Sequence, residues 1–147
     1  MLEVSITHLE SVAQKWINYG WNEFDPDLFR ALHSNDFVDY DSDERNKDID
    51  SFIEGIRSLY RTFPDFKATV SDLIIDNSRG KVAIRWTASG THTQPFMGIA
   101  PTGKNVKFSG IEIIELRDGL ICSRWGQWDA IDILFQISES PSIPLPV

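Results

Sequence analysis

Cysteine is almost absent from this chain: Cys122 is the only one in 147 residues. A lone thiol forms no internal disulfide, so the fold must rest on its hydrophobic core, and a reducing, cytoplasmic setting is expected. Histidine is scarce as well. His8, His33 and His92 are far apart and belong to no Cys/His spacing, so no metal site is expected. Positive charge is in deficit, with 14 Lys and Arg against 22 Asp and Glu and a formal net charge of −8. Such a surface repels phosphate backbones and anionic lipid, which argues against nucleic acid and membrane partners. No apolar run reaches the roughly 18 residues of a membrane span. Met1-Leu2-Glu3-Val4 lacks the basic and apolar regions of a secretory signal, so none is expected. The sequence contains no G-x-G-x-x-G, P-loop or G-x-S-x-G motif.

What is present suffices for one domain over residues 1–147, with 41% hydrophobic residues to build a core. The first part reads as helical. Thr7-x-x-Glu10 has the form of a capping box, and Leu9, Val12, Ala13, Trp16 and Ile17 follow at helical spacing. Asp25-Pro26 reads as an N-cap with proline at the first helical position, opening a short helix through Leu32. Phe37 to Tyr40 predicts a short strand, and the charged run from Asp36 to Asp50 predicts a solvated loop. Ile49, Phe52, Ile53, Ile56, Leu59 and Tyr60 mark a third helix that must stop before Pro64.

The period then changes to strands, at about Phe66–Ile75, Lys81–Thr93, Asn105–Leu116 and Leu120–Trp128. Asp118-Gly119 joins the last two as a type I′ hairpin turn. Ala130 to Ile137 reads as a final helical turn, and about 138–147 as a loose tail with three prolines. Helices first and an antiparallel sheet afterwards give an α+β fold, and a curved sheet closed by helices would enclose a cavity.

Counting back from the two-residue turn pairs Leu116 with Ile121, Ile114 with Ser123, Glu112 with Trp125, Gly110 with Gln127 and Phe108 with Asp129. This register puts Glu112, Trp125, Gln127 and Asp129 on one face. It sends Cys122, Arg124, Gly126 and Trp128 to the other, where Glu115 and Arg124 could pair. One bulge would invert part of it. Two carboxylates in one pocket suit proton transfer at carbon, because desolvation raises the pKa of at least one. Trp125 would supply an aromatic wall. Tyr40 and His92 are further candidates for contact with a ligand.

The chain resembles the SnoaL-like polyketide cyclases, or ester cyclases, of the cone-shaped nuclear transport factor 2-like superfamily that includes ketosteroid isomerase. The resemblance rests on Phe37-Val38-Asp39-Tyr40, Phe63-Pro64-Asp65, Val82 to Thr87, Gly90-Thr91-His92-Thr93, Phe96 to Ile99, Pro101-Thr102-Gly103-Lys104, Phe108-Ser109-Gly110-Ile111, Arg117-Asp118-Gly119 and Trp125 to Asp129. It implies a curved sheet with three helices around a pocket, a dimer across the sheet, and ring closure of a small hydrophobic carbonyl compound without metal or organic cofactor. It implies Asp129 as the base, with Glu112 standing where relatives often place a histidine. It also marks Gly126 as a departure, because relatives often carry an acid directly after the tryptophan. Three functions follow as expectations: acid–base catalysis, a non-catalytic small-molecule-binding module, and a structural dimer with a vestigial pocket.

Overall fold

The turn that sets the final hairpin forms as its residues dictate. Asp118 and Gly119 take positive φ values of 53° and 80°, the pair that a type I′ turn requires. The computed structural model describes residues 5–138. In chain order these form α1 (Ile6–Trp21), α2 (Pro26–Ala31), β1 (His33–Asp39), α3 (Ile49–Thr62), β2 (Lys67–Asp76), β3 (Lys81–Thr91), β4 (Asn105–Arg117), β5 (Leu120–Trp128) and α4 (Ala130–Ile137). Of the expected tail, 139–147 lies outside the described residues.

The five strands make one curved, unclosed sheet in the order β1-β5-β4-β3-β2. The fold is α+β, with a cone-like sheet packed by helices. Four strands run antiparallel, whereas β1 lies parallel to β5, with Asp39 opposite Arg124. This β1 is longer than the Phe37–Tyr40 strand expected. The helix α1 begins two residues earlier than the capping box implies, because Ser5, and not Thr7, accepts the His8 N–H. Asp25 and Asp48 cap α2 and α3 through the N–H groups of Leu28 and Ser51.

The helices bury their apolar stripes on the inner side of the sheet. Leu9, Trp16, Phe29, Ile53 and Ile56 pack towards Val82, Ile84, Ile114 and Ile121. His33 sits inside this core with both ring nitrogens engaged. Trp16 Nε1 donates to its Nε2 at 3.0 Å, and its Nδ1 lies 2.8 Å from the Phe29 carbonyl, to which it donates. Burial pushes its pKa down to about 4, so the ring is neutral.

One irregularity decides the layout of the site. The register runs Arg117–Leu120 and Leu116–Ile121, then resumes at Glu115–Ser123 and continues as Ile114–Arg124, Ile113–Trp125 and Glu112–Gly126. Cys122 is the extra residue of a bulge, its thiol within 3.4 Å of the Glu115 carbonyl. The expected register therefore holds for two pairs and is inverted beyond them. An inner row runs Leu73, Ile84, Glu112, Gly126 across the sheet, and an outer row runs Ile74, Ala83, Ile113, Trp125. No helix among the described residues is long and apolar enough to cross a membrane.

Candidate active site

Between the inner face of the sheet and α3 lies a cavity of about 270 Å³. Its apolar walls come from Trp21 on α1, Phe52, Ile56 and Leu59 on α3, and Phe66, Trp86, Phe108 and Trp128 on the sheet side. Trp86 reaches across its strand neighbour Gly110, where a Cβ would collide with the indole ring and with the Gln127 carbonyl. The polar wall is made by Asp41, Asp43 and Arg45 from the β1–α3 connection and by Glu112, Arg124 and Gln127.

The centre of that wall is a chain of charges. Arg124 Nη2 donates to Glu112 Oε1 at 2.7 Å, and Nη1 donates to Asp39 Oδ1 at 2.9 Å. Asp39 Oδ2 accepts from Arg45 Nη2 at 3.1 Å. Asp41 Oδ2 accepts the Gly126 N–H at 2.7 Å. Glu112 and Asp39 are 3% and 0% exposed, and the Arg124 guanidinium stacks 4.8 Å above the Phe52 ring. Burial raises the Glu112 pKa to about 7. Arg124 pulls it back down, while the Asp39 and Asp41 charges push it further up. Burial works against the Arg124 charge, but Glu112 and Asp39 outweigh it and its pKa is raised.

Gly126 is what makes room for this pair. A Cβ at that position would fall on Glu112 Oε2 and on Arg124 Nη2, nearer than real Cβ atoms approach anything. The departure at Gly126 has a physical reason: the space an acid would occupy holds the Glu112–Arg124 contact.

Of the candidate catalytic and ligand-contact residues, Glu112 and Gln127 line the cavity, whereas Asp129, Trp125, Tyr40 and His92 do not. Asp129 is exposed and caps α4, its Oδ1 accepting the Asp132 N–H at 3.0 Å. The bulge separates it from Glu112, so the expected two-carboxylate pocket does not form. Trp125 is on the outer face, stacked on Tyr40 at 5.0 Å with Lys81 5.2 Å from its ring. Neither Trp125 nor Tyr40 walls the cavity. Gln127 is exposed and paired with Ile111, yet still contributes to the lining. His92 is fully buried away from the cavity, where Thr102 N donates to its Nδ1 at 3.2 Å. Arg124 pairs with Glu112 and not with Glu115.

Sequence reasoning missed Asp39, Asp41, Arg45 and Arg124. The run from Asp36 to Asp50 is no solvated loop throughout. Strand parity was the available signal, since Asp39 and Asp41 follow Phe37 at a spacing of two and so share its face, and the Phe37 side chain had to face the core.

The family model for SnoaL-like polyketide cyclases matches residues 11–137. The chain belongs to the SnoaL-like polyketide cyclases. Solved structures agree. IdmH from Streptomyces antibioticus, a candidate polyketide cyclase, is 26% identical with a TM-score of 0.76, over 87% of this chain and 96% of that one. AclR from Streptomyces galilaeus, a candidate hydroxylase, is 24% identical with a TM-score of 0.81, over 96% and 87%. TsrD from Streptomyces laurentii is 22% identical with a TM-score of 0.82, over 94% and 100%. No curated protein is a significant match. Within the SnoaL-like fold, this chain's charged centre is built by Asp39, Asp41, Arg45, Glu112 and Arg124.

Proposed function

We propose that this SnoaL-like chain carries out acid–base chemistry at carbon on a small, largely apolar carbonyl compound, with Glu112 transferring the proton. The observation that carries the reading is a buried carboxyl on an aromatic cavity wall with a pKa of about 7. A group so poised is half ionised near neutrality and serves as base or acid with little bias. Glu112 Oε2 accepts no hydrogen bond among the described residues, since Arg124 takes Oε1.

The carboxylate removes a proton alpha to the carbonyl, and the electron pair moves into the enolate oxygen. Glu112 becomes neutral as that oxygen becomes negative. Beside its constant partner Asp39, the charge on Arg124 therefore faces one further anion before and after the step, at the carboxylate first and at the enolate next. Reaction of the enolate carbon with a second carbonyl closes a ring, and Glu112 returns the proton to the new alkoxide. Isomerisation follows if the proton returns to a different carbon. Asp129, the base implied by family position, is left with a capping role, and all groups in this scheme are protein side chains.

The test is exchange of α-protons of 2-tetralone in D2O, followed by NMR. Glu112→Gln should lower the rate by about 100-fold or more, while Asp129→Asn leaves it within about twofold. Undiminished exchange in Glu112→Gln would sink the assignment.

A second reading, a binding module without chemistry, is favoured by the Glu112–Arg124–Asp39 pairing, because buried ion pairs also serve structure alone. Saturable ligand binding with no exchange in the unaltered chain would select it. The homodimer is also a proposal. It is supported by Ile74, Ile111 and Ile113 exposed on the outer face, and Ile113→Lys should yield a monomer on size-exclusion chromatography if that face is the interface.

A further inference from the structure

The Arg124–Glu112 pair is held by one arm. A guanidinium facing a carboxylate commonly makes two parallel hydrogen bonds, through Nε and Nη2 or through both Nη atoms. Here Nη2 alone reaches Glu112, at Oε1. Arg124 Nε is buried without a hydrogen-bond partner, and Glu112 Oε2 accepts nothing among the described residues. A donor and an acceptor on the same two side chains are both unused. They are also close together, since Oε2, Nη2 and Cζ all crowd the place where a Cβ of Gly126 would stand. A buried N–H without a partner is costly, so something must keep the guanidinium from its second bond.

Asp39 is placed to do so. It lies opposite Arg124 in the parallel β1–β5 pairing, and its Oδ1 accepts from Nη1 at 2.9 Å, which leaves no end-on fork for Glu112. This carboxylate is itself fixed. Its Oδ1 also accepts the Asp41 N–H at 3.1 Å, and its Oδ2 accepts from Arg45 Nη2 at 3.1 Å. Arg45 is anchored in turn on the Ser51 carbonyl at 3.3 Å. Asp39 is fully buried and does not line the cavity, so it acts only through its partners.

We propose that Asp39 is a positioning residue: by holding Arg124 at Nη1 it confines the Arg124–Glu112 contact to one oxygen and keeps Glu112 Oε2 open to the cavity. This rests on Glu112 being the proton-transfer group of the proposed reaction. Without Asp39 the guanidinium closes on Glu112 as a two-armed fork. Nε then finds its partner, and the oxygen that takes the substrate proton is occupied. Charge acts in the same direction. Glu112 is faced by Arg124 from β5, by Asp39 from β1, and by Asp41, Asp43 and Arg45 from the β1–α3 connection, whereas α1, α3 and β3 present apolar side chains such as Trp21, Phe52 and Ile84. Burial raises the Glu112 pKa most, Arg124 opposes this, and Asp39 and Asp41 reinforce it. Removing the Asp39 charge leaves the pull of Arg124 less opposed.

NMR of the full chain, combined with the 2-tetralone exchange assay, tests the proposal. Above the Glu112 midpoint, the Arg124 Nε–H of the unaltered chain should resonate upfield, as a proton without a hydrogen-bond partner. In Asp39→Asn it should move downfield as the fork closes, a change that a purely structural Asp39 does not produce. The titration midpoint of the Glu112 carboxyl carbon should fall by about one pH unit or more. The plateau kcat for exchange should drop by about tenfold or more, with KM within about threefold. Asp39→Ser, smaller and still able to accept the Asp41 N–H, should behave alike and serves if Asp39→Asn does not fold. A hydrogen-bonded Nε–H in the unaltered chain, which needs no variant to observe, would overturn the proposal. So would an Nε–H unmoved in a folded variant, or an undiminished kcat once the fork has closed. The two readings fail separately: the expected Nε–H shifts with no exchange in the unaltered chain remove the catalyst and keep the positioning, and exchange with an already bonded Nε–H does the reverse.

Discussion

Two buried ionisable side chains, His33 and Glu112, lie in the neighbourhood of one ring, Phe52. Phe52 faces Arg124, the partner of Glu112, at 4.8 Å and lies 6.5 Å from the His33 ring. His33 and Glu112 are buried alike, at 7% and 3% exposure, but they are finished differently. Both His33 nitrogens have hydrogen-bond partners within the core, and its surroundings are the rings of Trp16, Phe29 and Phe37. Glu112 has one oxygen on Arg124 and the other facing the space that Gly126 leaves open. Burial alone does not mark a functional group. A polar group whose every lone pair is satisfied is part of the core, whereas one held with capacity to spare is available to a ligand.

The largest effects come from unmaking the Glu112 side of this comparison. Arg124→Met leaves Glu112 buried without its cation and Asp39 with Arg45 alone, and should destabilise the fold by about 3 kcal/mol in urea unfolding. Gly126→Ala should approach the same loss, because the Cβ displaces the same contact. A stability within about 0.5 kcal/mol of the parent for either variant would show that the pair is not formed.

The two groups have opposite pH slopes in overlapping windows. Glu112 has a folded pKa raised from 4.5 to about 7, so its contribution is fully present below pH 4.5 and is lost as pH rises through 7. His33 has a folded pKa lowered from 6.5 to about 4, so its contribution is present above pH 6.5 and is lost as pH falls through 4. Each is worth about 3 kcal/mol over its window. They largely cancel in the native chain between pH 4.5 and 6.5. Glu112→Gln should unmask the His33 slope, with stability rising with pH. His33→Gln should unmask the Glu112 slope, with stability falling. Parallel profiles in the two variants would refute the opposed titrations.

Smaller changes sharpen the contrast. Trp16→Phe removes the donor to His33 Nε2 inside the core and should cost about 1–3 kcal/mol without altering ligand binding in the cavity. Asp129→Ala removes the cap of α4 and should cost about 1 kcal/mol, with α-proton exchange unchanged. A collapse of exchange in Asp129→Ala would return the base to the place the family resemblance implies.

Most of the fold was legible in the sequence because its signals are local. The Asp25-Pro26 cap, the Asp118-Gly119 turn and the stop before Pro64 each act within a few residues, and α2, α3, β4 and β5 begin or end where they point. The site was legible only in part because it depends on register and on distant pairing. Glu112 was found, but a single bulged residue exchanged Arg124 and Gly126 with Trp125 and Gln127 between faces. Asp39 reaches Arg124 only because β1 runs parallel to β5, a pairing that closes across 85 residues of chain and leaves no local mark.

The bulge at Cys122 makes the chemistry of this molecule hostage to a reading frame of one residue within a strand. Deleting Cys122 and restoring regular pairing would turn β5 over: Arg124 and Trp128 would pass to the outside of the cone, and Trp125 and Gln127 would enter it. A charged cavity and an aromatic outer surface are therefore two settings of the same nine-residue strand, and an insertion or deletion there would remodel a relative's site more than any point substitution on the strand.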